Sequence, residues 1–143
     1  MPTILAFDPG VTTGYAYVSF DKGVEPSLVN AGQILGGHRG FIKAWDLLPK
    51  ADILVCESFT LREGIRGVNP EPCYVIGALE ALRYDAVNYQ PAAFKTFCDN
   101  TALKNLEMYI PGQQHARDAI RHAIGYLRTK ELHIQTLKKG WPD

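Results

Sequence analysis

The chain has 143 residues, of which 46% are hydrophobic and 21% charged, and its formal net charge is zero. This length fits a single domain over residues 1–143 with a proper hydrophobic core, and the composition excludes a disordered or fibrous chain. Because the charges balance, any contact with nucleic acid must come from a local basic patch rather than from overall attraction.

The cysteine count and the N-terminus bear on the compartment. Three cysteines without CxxC spacing predict reduced thiols of a cytoplasmic protein, rather than a disulfide framework or a zinc site. Asp8 interrupts the apolar N-terminal stretch, so we expect no signal peptide. No apolar run approaches the roughly 20 residues of a membrane span, so we expect no membrane partner.

Strands dominate the first part of the chain. The apolar run at 3–8 predicts a buried strand that ends in Asp8, and Pro9-Gly10 breaks it. A short link to a second strand at 14–20 predicts an antiparallel hairpin. The next predicted elements are a third strand at 28–35, a flexible glycine-rich break at 36–40, a helix at 41–48, and a central strand at 52–57.

Helices dominate the second part. Residues 58–72 have no apolar period and predict a long mobile loop. After it we predict a helix at 73–84, a strand at 86–89, a helix opening at 91–97, an ambiguous stretch at 99–114, a helix at 115–130 and a weak tail over the last dozen residues. This order predicts an α/β fold, with a mixed sheet of five strands (three antiparallel, then parallel) flanked by helices.

Acidic residues stand where buried elements end. Asp8 ends the first strand and Glu57 the fourth, and an isolated charge in such surroundings is costly. If the two strands are neighbours, the two carboxylates meet at one edge of the sheet. His115 and Asp118 are three apart, so they share a helix face. Three converging carboxylates repel one another unless a divalent cation neutralises them, which predicts a site for Mg²⁺ or Mn²⁺.

Each of these residues also has an ordinary structural interpretation. An aspartate before Pro-Gly is a common turn former, and Asp118 suits the start of a helix. His115 is balanced between a metal ligand and a helix-start residue. We expect His122, one turn beyond Asp118, to be a supporting or core histidine.

Four segments together resemble the RuvC family of Holliday-junction resolvases. Residues 8–16 (DPGVTTGYA) resemble the opening of that family, and 55–57 (VCE) resemble its second acid on the central strand. Residues 89–95 (YQPAAFK) resemble its Tyr-x-Pro-x-x-apolar-Lys segment. Residues 115–119 (HARDA) resemble its closing helix, where two metal-site residues lie three apart.

The resemblance implies an RNase H-like fold, a homodimer, and paired nicks in four-way DNA junctions with Mg²⁺ or Mn²⁺, two ions being expected. It implies that Asp8, Glu57 and Asp118 are catalytic metal carboxylates. His115 falls where some members carry Asp and others His, which leaves it as a ligand or a general base. The short chain suits a phage-type member that acts in the host cytoplasm.

The same resemblance suggests contacts with DNA. Lys95 matches a basic position implicated in phosphate contact, and Lys104 is a looser match to a second one. Phe59 is expected either to stack on bases or to pack in the core, because the family's aromatic lies slightly further past the acid. The basic residues that could line a groove, or simply form a solvated surface, are Arg62, Arg66, Lys95, Lys104, Arg117 and Arg121.

Three other functions stay open at the level of sequence. One is a different RNase H-fold nuclease that cuts an RNA–DNA hybrid or a flap. Another is an inactive module that binds branched DNA. The third is an ATP-binding relative of actin and Hsp70, since Asp8-x-Gly10 is followed by threonines; the short length and the lack of a second phosphate loop count against it.

Overall fold

A computed structural model describes residues 2–59, 67–130 and 135–142. Its strands are β1 (Thr3–Asp8), β2 (Thr13–Asp21), β3 (Val24–Ile34), β4 (Ile53–Glu57) and β5 (Val87–Gln90). Its helices are α1 (Gly37–Ala44), α2 (Glu71–Leu82), α3 (Ala93–Thr96), α4 (Asn100–Asn105) and α5 (Gln114–Thr129), with 3₁₀ turns at Trp45–Leu47 and Lys138–Gly140. None of the helices in these ranges is long and apolar enough to cross a membrane.

The described strands form one mixed sheet in the order β3-β2-β1-β4-β5. β1 pairs antiparallel with β2 and parallel with β4, and β4 pairs parallel with β5. The predicted fold class and hairpin are therefore confirmed. In the β1–β4 register Phe7 lies opposite Cys56, so the next residues, Asp8 and Glu57, emerge at the same edge of the sheet.

Helices cover both faces of the sheet, which explains the unbroken apolar run of β1. Side chains alternate along a strand. Leu5 and Phe7 accordingly pack in the layer that contains α1 and α2, while Ile4 and Ala6 pack in the layer that contains α5. Burying one such large side chain stabilises the fold by about 1.5–3 kcal/mol, so both layers hold β1 at the centre.

The predicted glycine-rich break at 36–40 is wrong for most of its length, because α1 begins at Gly37. Gly36 and Gly37 have positive φ angles of 91° and 61°, so they make the sharp entry to the helix. The Gly37 amide donates to the carbonyl of Val11 at 2.8 Å, and Phe41 buries the inner face of the helix.

The predicted weak C-terminal tail is also wrong for its described residues, 135–142. Leu137 is buried in the same layer as α5. The Trp141 ring stacks on Phe97 with 5.3 Å between ring centres, and its indole N–H donates to the carbonyl of Phe97. These apolar residues are too widely spaced to produce a periodic signal in the sequence, so only the packing identifies them.

Candidate metal and nucleic-acid site

The alternation of side chains places two carboxylates on one face of the sheet. Ala6 and Val55 pack in the α5 layer. Asp8 lies two residues after Ala6 and Glu57 two residues after Val55, so each acid points to the same face as the residue two positions before it. Asp8 and Glu57 therefore project toward α5 at the ends of adjacent strands. Gln90 lies opposite Glu57 on β5, so it extends the same row.

Gly14 allows α5 to begin directly over this row. It pairs with Asp8 across the β1–β2 ladder, and a Cβ at Gly14 would lie only 1.8 Å from the backbone carbonyl oxygen of His115. The close approach brings His115 Nδ1 to 3.2 Å from Asp8 Oδ2. The Gln33 side chain accepts a hydrogen bond from the His115 amide at 3.0 Å, which further fixes the start of the helix.

One face of α5 crosses the ends of the strands. His115, Asp118 and His122 are spaced by three and four residues and so point the same way. The ammonium of Lys95 lies 3.1 Å from Glu57 Oε2 and 3.5 Å from Asp118 Oδ2. We call Asp8, Glu57 and Asp118 the carboxylate cluster, because Lys95 joins Glu57 to Asp118 and a hydrogen bond joins Asp8 to Glu57.

The negative charges of the carboxylate cluster repel one another. Burial, followed by the hydrogen bond with Glu57 and the charges of Glu57 and Asp118, raises the pKa of Asp8 from 3.8 to about 8, although Lys95 opposes the rise. Asp8 therefore keeps a proton at neutral pH. One nearby ammonium is not enough to let all three acids ionise.

Glu57 is the ionised member of the Asp8–Glu57 pair. Burial acts to raise its pKa, but hydrogen bonds with His122 and Asp8 and the charge of Lys95 outweigh burial and hold the pKa at about 2. Burial likewise acts to lower the pKa of Lys95, but Asp8, Glu57 and Asp118 reverse the effect and raise it. Glu57 and Lys95 are thus the ionised pair of the site.

The donor chemistry of the cluster fits a hard divalent cation. Carboxylate oxygens are the ligands that Mg²⁺ and Mn²⁺ prefer, and a cation would offset the repulsion by which Glu57 and Asp118 raise the pKa of Asp8. Among the described residues no three His, Cys, Asp or Glu side chains stand in a ready-made coordination arrangement. The metal roles of Asp8, Glu57, His115 and Asp118 therefore stay predictions.

The DNA-contact residues predicted from sequence lie in different surroundings. Phe59 is half-buried just after β4, and Lys95 lies within the cluster itself. The Lys104 ammonium lies 4.8 Å from the centre of the Tyr109 ring, over which the Arg117 guanidinium also stacks at 5.3 Å. Arg62 and Arg66 lie outside the described residues. The DNA-contact roles of all these residues stay predictions.

Arg121 neither lines an open groove nor forms a solvated surface, the two alternatives that the sequence left open. Its guanidinium donates to Asp118 Oδ1 at 2.7 Å, to the Cys98 carbonyl at 2.6 Å and to Asn100 Oδ1 at 2.6 Å. Because Arg121 follows Asp118 by three residues on α5, it reaches the carboxylate directly. Its donors orient Asp118 rather than face a groove.

Gln90 is the residue that sequence reasoning missed. Its side-chain nitrogen lies 2.9 Å from the backbone carbonyl of His122 and 3.2 Å from His122 Nδ1. His122 Nε2 in turn lies 3.1 Å from Glu57 Oε2, in keeping with its expected supporting place. The signal was the end position of Gln90 on β5, which matches the end position of Glu57 on β4.

Comparisons with known proteins give structural likeness without sequence likeness. No family model matches the chain, and no curated protein sequence does. The RuvC of T. thermophilus in complex with a Holliday junction substrate superposes with a TM-score of 0.63 and 13% identity, over 90% of this chain and 96% of that chain. The Thermus thermophilus RuvC structure gives 0.64 and 12%, over 88% and 95%.

A viral enzyme has the same architecture. The fowlpox virus resolvase in complex with its substrate Holliday junction DNA gives a TM-score of 0.65 and 12% identity, over 89% of this chain and 97% of that chain. Identity this low establishes the fold alone. The chain therefore has the RNase H-like fold of the RuvC and fowlpox virus resolvase structures, and the expected fold is confirmed.

Proposed function

We propose that this protein is a divalent-metal-dependent endonuclease that resolves Holliday junctions or other branched DNA by phosphodiester hydrolysis. One observation supports it above the rest: Asp8, Glu57 and Asp118 come from three separate elements, Lys95 contacts Glu57 and Asp118, and Asp8 is hydrogen-bonded with Glu57. A fold stabilised by its core alone gains nothing from a buried Asp8 whose pKa is raised by burial and by the neighbouring Glu57 and Asp118.

Each side chain has a chemical task in this proposal. Asp8, Glu57 and Asp118 would hold the cations. Two bound divalent ions supply an activated water, neutralise the phosphate and stabilise the leaving oxygen. His115, whose Nδ1 lies 3.2 Å from Asp8 Oδ2, is placed to act as a further ligand or to accept the proton of the attacking water.

The proposed substrate is branched DNA, and the proposed assembly is a homodimer. The RuvC and fowlpox virus structures that share the fold are complexes with Holliday junctions, which favours a junction over an RNA–DNA hybrid. Paired nicks at one junction need two active sites. A dimer of identical chains supplies them in symmetric positions.

The test is a cleavage assay on synthetic four-way junction, flap, plain duplex and RNA–DNA hybrid substrates, with Mg²⁺ or Mn²⁺. We expect nicking of the junction in preference to the duplex. Asp8→Asn should lower the rate by at least about 100-fold, because the central carboxylate can no longer ionise. Asp46→Asn is the matched control, since Asp46 is exposed on the 3₁₀ turn after α1 and should leave the rate unchanged.

Two results would contradict the proposal. Cleavage that survives excess EDTA would exclude metal-dependent chemistry. Tight junction binding without cleavage under any divalent cation would indicate a binding module instead. Preferential cutting of the hybrid would keep the chemistry and change the substrate.

A further inference from the structure

Two polar side chains are buried next to the carboxylate cluster without belonging to it. His122 on α5 is fully buried, and Gln90 at the end of β5 is 2% exposed. The layer between α5 and the sheet is otherwise apolar, with Ala119, Ala123 and Val55 among its buried residues. Polar groups in such a layer are costly unless they are hydrogen-bonded, so their partners show what they do there.

The hydrogen bonds of Gln90 fix its amide orientation. A backbone carbonyl only accepts, so the Gln90 atom that lies 2.9 Å from the His122 carbonyl must be the amide nitrogen. The second hydrogen of that nitrogen then points at His122 Nδ1, 3.2 Å away. His122 Nδ1 is therefore an acceptor, and the ring carries its proton on Nε2.

That proton is directed at Glu57. His122 Nε2 lies 3.1 Å from Glu57 Oε2, so the ring donates to the carboxylate. Lys95 reaches the same oxygen at 3.1 Å. Two donors on one oxygen from two different elements restrict how the Glu57 carboxylate can rotate.

This orientation has a cost. The other amide atom, Gln90 Oε1, is buried without a hydrogen-bond partner among the described residues. An unsatisfied buried acceptor is unfavourable, because it has lost its hydrogen bonds to water and gained none in the protein. The amide is therefore held in the one orientation that serves His122, although its own oxygen gains nothing from it.

We propose that Gln90 and His122 form a buried relay that holds the Glu57 carboxylate toward Asp8 and Asp118, as positioning residues for the metal site. This inference rests on the proposed nuclease function and adds what sets the direction of one ligand. Partners behind a ligand typically raise metal affinity by fixing its orientation, and losing one weakens binding by about 10- to 100-fold.

The first measurement is Mn²⁺ binding by titration calorimetry, with junction cleavage followed in parallel. His122→Leu removes the donor and should weaken Mn²⁺ binding about 10- to 100-fold. His122→Gln keeps a terminal N–H donor and should recover most of the affinity. Ile124→Val is the control, because Ile124 is buried on the same helix but lies outside the relay. This variant should bind Mn²⁺ as the unaltered protein does.

The second measurement needs no metal. Nitrogen-15 NMR of the imidazole rings should show His122 protonated on Nε2, with a signal that Glu57→Gln shifts. Gln90→Leu should remove the donor to Nδ1 and shift the Nδ1 signal, because the contact of Nδ1 with the Gln90 amide is lost. This measurement also decides the matter if His122→Leu fails to fold.

The outcomes separate the relay from the function on which it rests. A proton on Nδ1 in the unaltered protein, or a folded His122→Leu variant that binds Mn²⁺ with unchanged affinity, would overturn the relay. If the unaltered protein neither binds Mn²⁺ nor cuts any substrate, the proposed function fails. In that case the NMR measurement still tests the relay geometry. A His122 proton on Nε2 supports the geometry, and a proton on Nδ1 overturns it.

Discussion

At the scale of single residues, the site places buried carboxylates close together, and the rest of the fold has to offset their repulsion. Asp8 is a buried acid beside two others, with a pKa raised to about 8, while Glu57 is held ionised with a pKa of about 2. The burial that places these groups where water is partly excluded also makes each uncompensated charge costly. A functional cluster of this kind is expected to lower the stability of the metal-free protein.

This repulsion gives a prediction for the pH dependence of stability. Between pH 3.8 and about 8 the folded protein binds a proton on Asp8 that the unfolded chain has released. The free energy of unfolding of the metal-free protein should therefore fall as pH rises through this window. Glu57 acts in the opposite sense, but its contribution is complete above its ordinary pKa of 4.5. Asp8 thus sets the expected slope from pH 4.5 to about 8.

Urea unfolding at several pH values in EDTA measures this slope. Asp8→Asn should flatten it and should be more stable than the unaltered protein at about pH 8, because the amide never ionises. Asp46→Asn should keep the original slope. A slope that Asp8→Asn leaves unchanged would mean that the Asp8 proton is not the group responsible.

At the scale of elements, the site depends on how closely α5 crosses the β1–β2 hairpin. Only a residue without a side chain fits at position 14, because the His115 carbonyl occupies the place of a Cβ. The same helix carries His115, Asp118 and His122 on one face, so its seating sets three contacts at once. Asp118 is fixed further by Arg121, whose donors also tie α5 to the carbonyl of Cys98.

Gly14→Ala tests this seating. The added methyl group must push α5 away from β2, and overpacking of this kind destabilises a protein by about 1–3 kcal/mol. We also expect the cleavage rate to fall, because His115 moves away from Asp8. Chemical denaturation gives the stability, and the junction assay gives the rate under conditions where the variant is fully folded.

Gly77→Ala is the matched control. Gly77 lies inside α2, and a Cβ there would meet nothing within 4 Å. The alanine should therefore stabilise the helix by about 0.5–1 kcal/mol and leave cleavage unchanged. If Gly14→Ala behaved like Gly77→Ala, the close approach of α5 would not limit the site.

At the scale of the whole molecule, the layer of α1 and α2 carries exposed apolar side chains through which the proposed homodimer can be tested. Ile42 on α1 and Tyr74 on α2 are about half exposed. The His38 ring, one turn before Ile42, lies 5.3 Å from the Tyr74 ring, so the three side chains form one patch. This patch is on the sheet face opposite α5, so pairing through it would leave both carboxylate clusters accessible.

Analytical ultracentrifugation tests the proposed homodimer. The double variant Ile42→Glu with Tyr74→Glu should weaken self-association at least about tenfold, because two carboxylates replace apolar contacts at the centre of the patch. Val29→Glu is the control, since Val29 is equally exposed but lies on β3 at the edge of the sheet. A monomer at all accessible concentrations, or equal weakening by Val29→Glu, would contradict this use of the patch.

The sequence by itself determined the fold class and the three acids. Apolar runs that end in Asp8 and Glu57 locate two central strands and the ends that carry the acids, because a strand needs only local alternation and burial to be recognised. The i, i+3 spacing of His115 and Asp118 does the same for α5. Each of these signals spans only a few residues, so recognising it requires no knowledge of distant contacts.

Only the tertiary structure decided which residues surround those acids. The Lys95 ammonium within the cluster, the donors of Arg121 and the Gln90–His122 contacts join residues that are distant in the chain, as do the packing of Leu137 and Trp141. Such contacts are set by the order of strands in the sheet and by the crossing of α5, neither of which leaves a periodic trace in the sequence. The pKa of Asp8 belongs to the same group, because burial and neighbouring charges exist only once the chain has folded.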